Sequence, residues 1–185
     1  MSGTTTATVD PRVLRTRAHV LAHARALLAD SGPAGLTFSD LSAAARVSRQ
    51  TLYRYWSTPE ALAADVLLDR VPHLPAPDPA PDVPAVLAAH LVALRAVLAD
   101  PATSAACSLL ISAADRCPQS AAALAAVLEA RRRLLNERLS AFGTALDEDR
   151  YRLLVGPVVA THFVARDAVT DAFVALVARS ALAAG

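Results

Sequence analysis

The stretch TFSDLSAAARVSRQTLYRY, Thr37 to Tyr55, leaves little freedom in how it folds. Thr37 is followed by Asp40, an acidic variant of the capping box, and so marks a helix start. Leu41, Ala44 and Ala45 give that helix a small apolar face. Arg46 and Val47 make a turn, and Ser48 is placed to cap a second helix by accepting from an orphan backbone N–H. The second helix carries Arg49, Gln50, Thr51, Tyr53, Arg54 and Tyr55, with Leu52 as its only aliphatic residue. So short a helix is stable only if Val47 and Leu52 anchor it and its polar face meets a partner. Arg, Gln and Thr read base edges, while Tyr, Ser and Arg hold phosphates. The pattern implies a helix-turn-helix whose second helix, Arg49 to Tyr55, lies on DNA.

The rest of the composition fits a helical carrier for that motif. Apolar residues make up 54% of the 185, largely Ala, Leu and Val, with 4% aromatic. Ala and Leu are strong helix formers and no long β-branched alternation appears, so the class is all-α. All 18 basic residues are Arg. Residues 1–57 hold seven Arg against three Asp, a net +4, and residues 58–185 hold eleven Arg against fourteen acids, a net −3. A basic first third on a mildly acidic body suits one nucleic-acid face. Cys107 and Cys117 have no His at metal spacing and read as structural thiols, so neither a metal nor a cofactor is expected. MSGTTTATVD lacks a charged and an apolar region and reads as a disordered lead-in, residues 1–10, not a signal peptide. No apolar run approaches the roughly 20 residues that span a bilayer, so a cytoplasmic protein without membrane contact is expected.

In order along the chain, Asp10-Pro11 opens a helix that runs to about Asp30 with Val13, Leu14, Val20, Leu21, Ala24, Leu27 and Leu28 at helical spacing. It would brace the motif and bring Arg15 or Arg17 near the DNA backbone; His19 and His23 read as surface or bracing residues. Trp56 is expected to close the small core, and Thr58-Pro59-Glu60 to start a fourth helix reaching about Val71. Pro72 to Pro84 holds six of the twelve prolines and predicts an extended spacer. Beyond it helices are expected over Val86–Leu98, from Asp100-Pro101 to before Cys117, over Gln119–Gly143, Asp147–Arg166 and Asp167–Leu182. Arg131, Arg132 and Arg133, with Glu129 and Glu137, predict a solvated, salt-bridged surface. Gly156 and Ala160 remove bulk from one helix face and permit close approach, while Pro157 kinks or loosens that helix.

Arg17, Leu21, Ala24, Gly32, Thr37, Leu41, Ala44, Val47-Ser48, Thr51-Leu52-Tyr53, Trp56 and Glu60-Ala61-Leu62 resemble, in order and spacing, the DNA-binding domain of the tetracycline-repressor (TetR) family of transcriptional regulators. The resemblance covers roughly residues 12–65. Arg46 stands where the family usually has Gly in the turn, and Pro59 where it usually has Lys on the DNA backbone. The resemblance implies a ligand-responsive repressor that binds operator DNA as a homodimer, its last two helices forming a four-helix bundle with their copies. Residues 11–57 would then be the helix-turn-helix domain, 58–84 a connecting helix and linker, and 85–185 the helical ligand-binding and dimerisation domain. The DNA-facing set is Arg17, Thr37, Ser48, Arg49, Gln50, Thr51, Tyr53, Arg54 and Tyr55. Dimer contacts fall on Leu153, Gly156, Val159, Ala160, Phe163, Phe173 and Leu176. A pocket for a small, hydrophobic effector with one polar or acidic group would draw on His90, Leu94, Ile111, Asp115, Leu128 and His162. Two other readings remain open: an adaptor that has lost DNA binding through Arg46 and Pro59, and a helical enzyme built on Cys107, Cys117, His90, His162 or Asp115, which stand at no known catalytic spacing.

Overall fold

The computed structural model describes residues 11–70 and 80–183. Within them lie nine α-helices and no strand. α1 (Pro11–Ser31), α2 (Phe38–Ala45) and α3 (Arg49–Tyr55) come first, followed by α4 (Pro59–Arg70). The body consists of α5 (Val83–Ala99), α6 (Pro101–Ala114), α7 (Pro118–Leu139), α8 (Glu148–Ala160) and α9 (Asp171–Ala183). The N-terminal lead-in, the Asp10 cap and positions 72–79 of the expected spacer lie outside the described residues. No single described helix is long and apolar enough to cross a membrane.

Most helix starts are where their caps place them. Thr37 Oγ1 accepts from the Asp40 N–H at 3.1 Å and donates to its carboxylate at 2.6 Å. Ser48 Oγ accepts from the Thr51 N–H, and Thr58 Oγ1 from the Ala61 N–H. Asp82 and Asp100 cap α5 and α6 in the same manner. The expected spacer therefore ends sooner than its prolines suggest: Val83 and Pro84 open α5, because proline in a first helical turn removes no hydrogen bond. At the other end, α8 stops at Ala160 and continues as a π turn, Thr161–Ala165, rather than as an α-helix to Arg166. Pro157 has no N–H to give within the helix, and Thr161 Oγ1 bonds back to its carbonyl. Arg166 then takes a left-handed conformation, φ 56°, and α9 starts at Asp171 instead of Asp167.

Two apolar clusters hold these helices. The first joins Val20, Leu28, Leu41, Leu52, Trp56, Leu62 and Val66 to Ala102, Ala106 and Leu110 of α6 and Val127 of α7. The second joins Leu87, Leu91, Leu135, Leu139, Tyr151, Leu154, Val158, Val174 and Val177. Burying a side chain of this size contributes about 1.5–3 kcal/mol.

The arginine triplet departs from expectation. Arg132 and Arg133 clasp Glu129 at 2.8 Å each, forming the expected surface pairs. Arg131 does not join them and is only 7% exposed. Adjacent residues point about 100° apart, and α7 packs against α4, α5 and α6, so one of the three must turn inward.

Candidate functional site

The turn between α2 and α3 is built around the residue that replaces glycine. Arg46 sits at φ 53°, ψ 40°, a left-handed conformation that costs a non-glycine residue roughly 1–2 kcal/mol. Several bonds hold it there. Its N–H donates to the Ser42 carbonyl, Ser42 Oγ donates to the Val47 carbonyl at 2.7 Å, and His19 Nε2 lies 2.9 Å from the Ala45 carbonyl. The turn thus keeps its geometry without glycine, and His19 of α1 is the brace.

α3 is anchored by one side chain, Leu52, at 0% exposure, while Arg49, Gln50, Tyr53 and Arg54 are exposed around it. Arg49 reaches Ser39 Oγ at 2.6 Å, and Arg54 lies over the Tyr55 ring, 4.8 Å from its centre, with a bond to its hydroxyl. The Tyr53 ring stands edge-on to Phe38, 4.9 Å between centroids, which fixes its direction and leaves it 60% exposed. The structure therefore brings Arg49, Gln50, Tyr53 and Arg54 together as one polar, basic face. Thr37, Ser48 and Thr51 sit at its edge with their hydroxyls in caps, Thr51 Oγ1 lying 2.9 Å from Ser48 Oγ.

Arg17 is engaged differently. Its guanidinium pairs with Asp65 of α4 at 2.8 Å, and the same carboxylate accepts from the Trp56 indole N–H at 2.6 Å. This triad ties α1, the end of α3 and α4 together. Trp56 is 3% exposed and closes the first core as its position in the sequence implies.

Where the two apolar clusters meet, helices α4 to α8 line an open cavity of about 210 Å³. Its wall includes Leu67 of α4, Leu94 of α5, Thr103, Cys107 and Ile111 of α6, and Leu124, Leu128 and Arg131 of α7. Of the sequence-derived pocket residues, Leu94, Ile111 and Leu128 line it; His90, Asp115 and His162 do not. His90 is buried against Tyr151, 3.3 Å from its hydroxyl, and burial together with the Arg131 and Arg138 charges pulls it down to about 4. His162 pairs with Ser104 at 3.0 Å, and Asp115 is an exposed residue at the end of α6. Val159 and Phe163, expected at a dimer contact, line this cavity. Val159 is one step round α8 from the exposed stripe, and the π turn shifts the register that carries Phe163.

Sequence reasoning missed Thr103, Cys107, Leu124 and above all Arg131 as cavity residues. The signal was present for Arg131, since it recurs at helical spacing with Leu124, Val127, Leu128 and Leu135. Burial pushes the Cys107 thiol up to about 11, so it stays protonated and a poor nucleophile. Among the described residues no group of His, Cys, Asp or Glu is arranged to hold a metal.

The cavity connects to α1 through polar groups. Asp100 accepts from Thr103 Oγ1 at 2.6 Å and from Arg25 of α1 at 2.9 Å. Burial pushes its carboxyl up, but the Thr103 hydrogen bonds and the Arg25 guanidinium outweigh that and hold it below its ordinary value.

On the outside, Leu153, Gly156 and Ala160 of α8 and Leu176 of α9 are exposed, with Leu153 at 66% and Leu176 at 53%. Leu153, Pro157, Phe173 and Leu176 line a groove of about 400 Å³ between the two helices.

Residues 20–66 match the family described as bacterial regulatory proteins, tetR family. The crystal structure of the TetR family transcription regulator SCO0332 superposes with a TM-score of 0.74 and 30% sequence identity, covering 92% of this chain and 98% of that one. A TetR transcriptional regulator from Rhodococcus sp. RHA1 has a TM-score of 0.66 at 24% identity, covering 92% and 94%. GusR of Salmonella enterica has a TM-score of 0.64 at 18% identity, covering 95% and 96%. These last two share the fold. No curated protein matches the chain. With a helix-turn-helix that presents one basic face, and a whole-length likeness to a regulator of known fold, the chain belongs to the TetR family of DNA-binding transcriptional regulators.

Proposed function

We propose that this regulator is a homodimeric repressor, acting in the cytoplasm, that leaves its operator when a small, largely apolar ligand fills the cavity. Residues 11–57 read DNA, 58–84 connect, and 85–185 bind ligand and partner. The observation that carries this reading is the position of Leu67. It belongs to α4, which follows the reading helix directly and packs against α1, and its side chain is part of the cavity wall. A ligand that fits the cavity only when α4 is displaced favours a state in which the two reading heads no longer match successive major grooves. The size of the shift is set by the ligand's differential affinity for the two states.

The direct test is a gel-shift titration on duplex from upstream of the chain's own gene and on a scrambled duplex. Arg49→Ala and Tyr53→Phe should each weaken operator binding, Arg49→Ala by about 1–3 kcal/mol, the range of a base-reading contact. Unchanged binding in both variants would displace the recognition helix from α3. Wild type that binds operator and scrambled duplex alike would remove sequence-specific repression.

The partner face rests on Gly156. A Cβ built there meets nothing within 4 Å in its own subunit, so intrachain packing does not require glycine at a position where it costs a helix roughly 0.5–1 kcal/mol. A second copy approaching closely supplies the reason. Gly156→Leu should therefore leave the isolated subunit as stable or more so, yet weaken the dimer by about 1–3 kcal/mol through overpacking. Sedimentation velocity that still shows dimer for this variant at micromolar concentration would place the interface elsewhere.

A further inference from the structure

Arg131 is a largely buried side chain whose guanidinium faces the cavity with no charge paired to it. It is 7% exposed, lines the cavity, and has no hydrogen-bond or ion-pair partner among the described residues. The charges that act on it come from Tyr151 and Cys107, and burial keeps both in their neutral forms, Tyr151 pushed up to about 12 and Cys107 to about 11. His90, on the same side, is neutral as well. The nearby carboxylate Glu129 is held by Arg132 and Arg133, and Asp100 by Arg25 and Thr103. Burial lowers the Arg131 pKa, but a guanidinium does not shed its proton in a protein. Holding such a cation largely out of water without a counter-charge is unfavourable. A ligand that brings one negative charge removes that cost, and one without charge does not.

The other cavity groups narrow the choice. Leu67, Leu94, Leu124 and Leu128 offer only apolar surface. The Thr103 hydroxyl already donates to Asp100, so Arg131 is the free strong donor that the wall presents. Its planar fork matches the two oxygens of a carboxylate. At about 210 Å³ the cavity is smaller than the roughly 300–1,000 Å³ of drug-sized ligand pockets and suits a small organic acid. Ile111, 44% exposed and part of the wall, marks the way in.

We propose that the cavity selects a small monocarboxylate with an aliphatic or aryl body, its carboxylate held by the forked guanidinium of Arg131 and its tail by the leucines of α4, α5 and α7. This rests on reading the cavity as the effector site and names the chemistry of the effector.

Octanoate is the probe, with octan-1-ol, octylamine and octyl phosphate as matched controls, each titrated into the full-length protein by calorimetry without DNA. Octanoate should bind wild type, with octanol and octylamine at least about tenfold weaker, the scale of a charge-assisted hydrogen bond. Octyl phosphate should also bind more weakly, because one guanidinium does not balance a dianion. Arg131→Met should lose the preference for octanoate over octanol while its melting temperature without ligand rises. Arg131→Lys, which keeps the charge without the fork, should retain part of the preference. Equal affinity of wild type for octanoate and octanol, octanoate binding untouched in Arg131→Met, or no octanoate binding at millimolar concentration would each overturn the proposal. A gel shift run alongside separates the two readings. Octanoate that binds through Arg131 yet leaves operator binding unchanged would sink ligand-driven release and leave the carboxylate site standing.

Discussion

Trp56→Ala is expected to cost about 3–5 kcal/mol, the range for deleting a buried tryptophan, and to abolish operator binding with it. The ring is 3% exposed in the first core, and its indole N–H is the second ligand of the Asp65 carboxylate that also holds Arg17. Without the ring, the C-terminal end of α3 loses its tether to α4, and Leu52 is left as the only fully buried side chain holding the helix. Trp56→Phe should cost less, because most of the packing remains and only the bond to Asp65 goes. Urea unfolding followed by circular dichroism gives the stability of each variant. If Trp56→Ala were to unfold with the wild-type midpoint, the indole would not be part of the core.

Acidification should bring the second large effect. His90 falls to about 4 when folded, against an ordinary value of 6.5, chiefly through burial and then through Arg131 and Arg138. Between those two values the unfolded chain binds a proton that the folded chain refuses. Stability therefore rises with pH across that window; the His90 contribution is complete above about 6.5 and is lost as the pH falls to 4. A shift of this size corresponds to about 3 kcal/mol. His90→Gln keeps a polar group within reach of the Tyr151 hydroxyl and removes the titration. Urea midpoints measured from neutral pH down to pH 4 should fall less steeply for the variant than for wild type. Parallel curves would mean that His90 titrates as it does in water.

Much of this molecule could be read in its residues. Caps at Thr37, Ser48, Thr58 and Asp100 announce where helices start because the side-chain bond that satisfies an orphan N–H is local in sequence. The exposed face of α3 was legible for the same reason: one aliphatic residue among seven fixes which side is anchored. What could not be read was set by contacts distant along the chain. Arg131 looks like a surface charge beside Arg132 and Arg133; its spacing with Leu124, Val127, Leu128 and Leu135 marks the side of α7 it shares, but the helices packed around α7 are what cover that side. His90 and Leu94 look alike as pocket candidates on one helix, yet one meets Tyr151 and the other the cavity. Val159 and Phe163 line the cavity for different reasons, Val159 by its place round α8 and Phe163 through a π turn that no short-range signal marks.

The first core also bears on how such regulators are recombined. Ala102, Ala106 and Leu110 of α6 and Val127 of α7 sit in the same cluster as Leu28, Leu62 and Val66, and Arg25 of α1 reaches across to Asp100 at the head of α6. A chimaera joined just after Trp56 would divide that cluster between two parents, and α1 would rest on a surface it did not evolve against. Its sensor and reader would meet through mismatched small residues, where a single added methyl is felt. A graft that carries α6 and the first half of α7 along with the reading head keeps the seam in register. For this architecture, the exchangeable unit is defined by what packs together and is discontinuous along the chain.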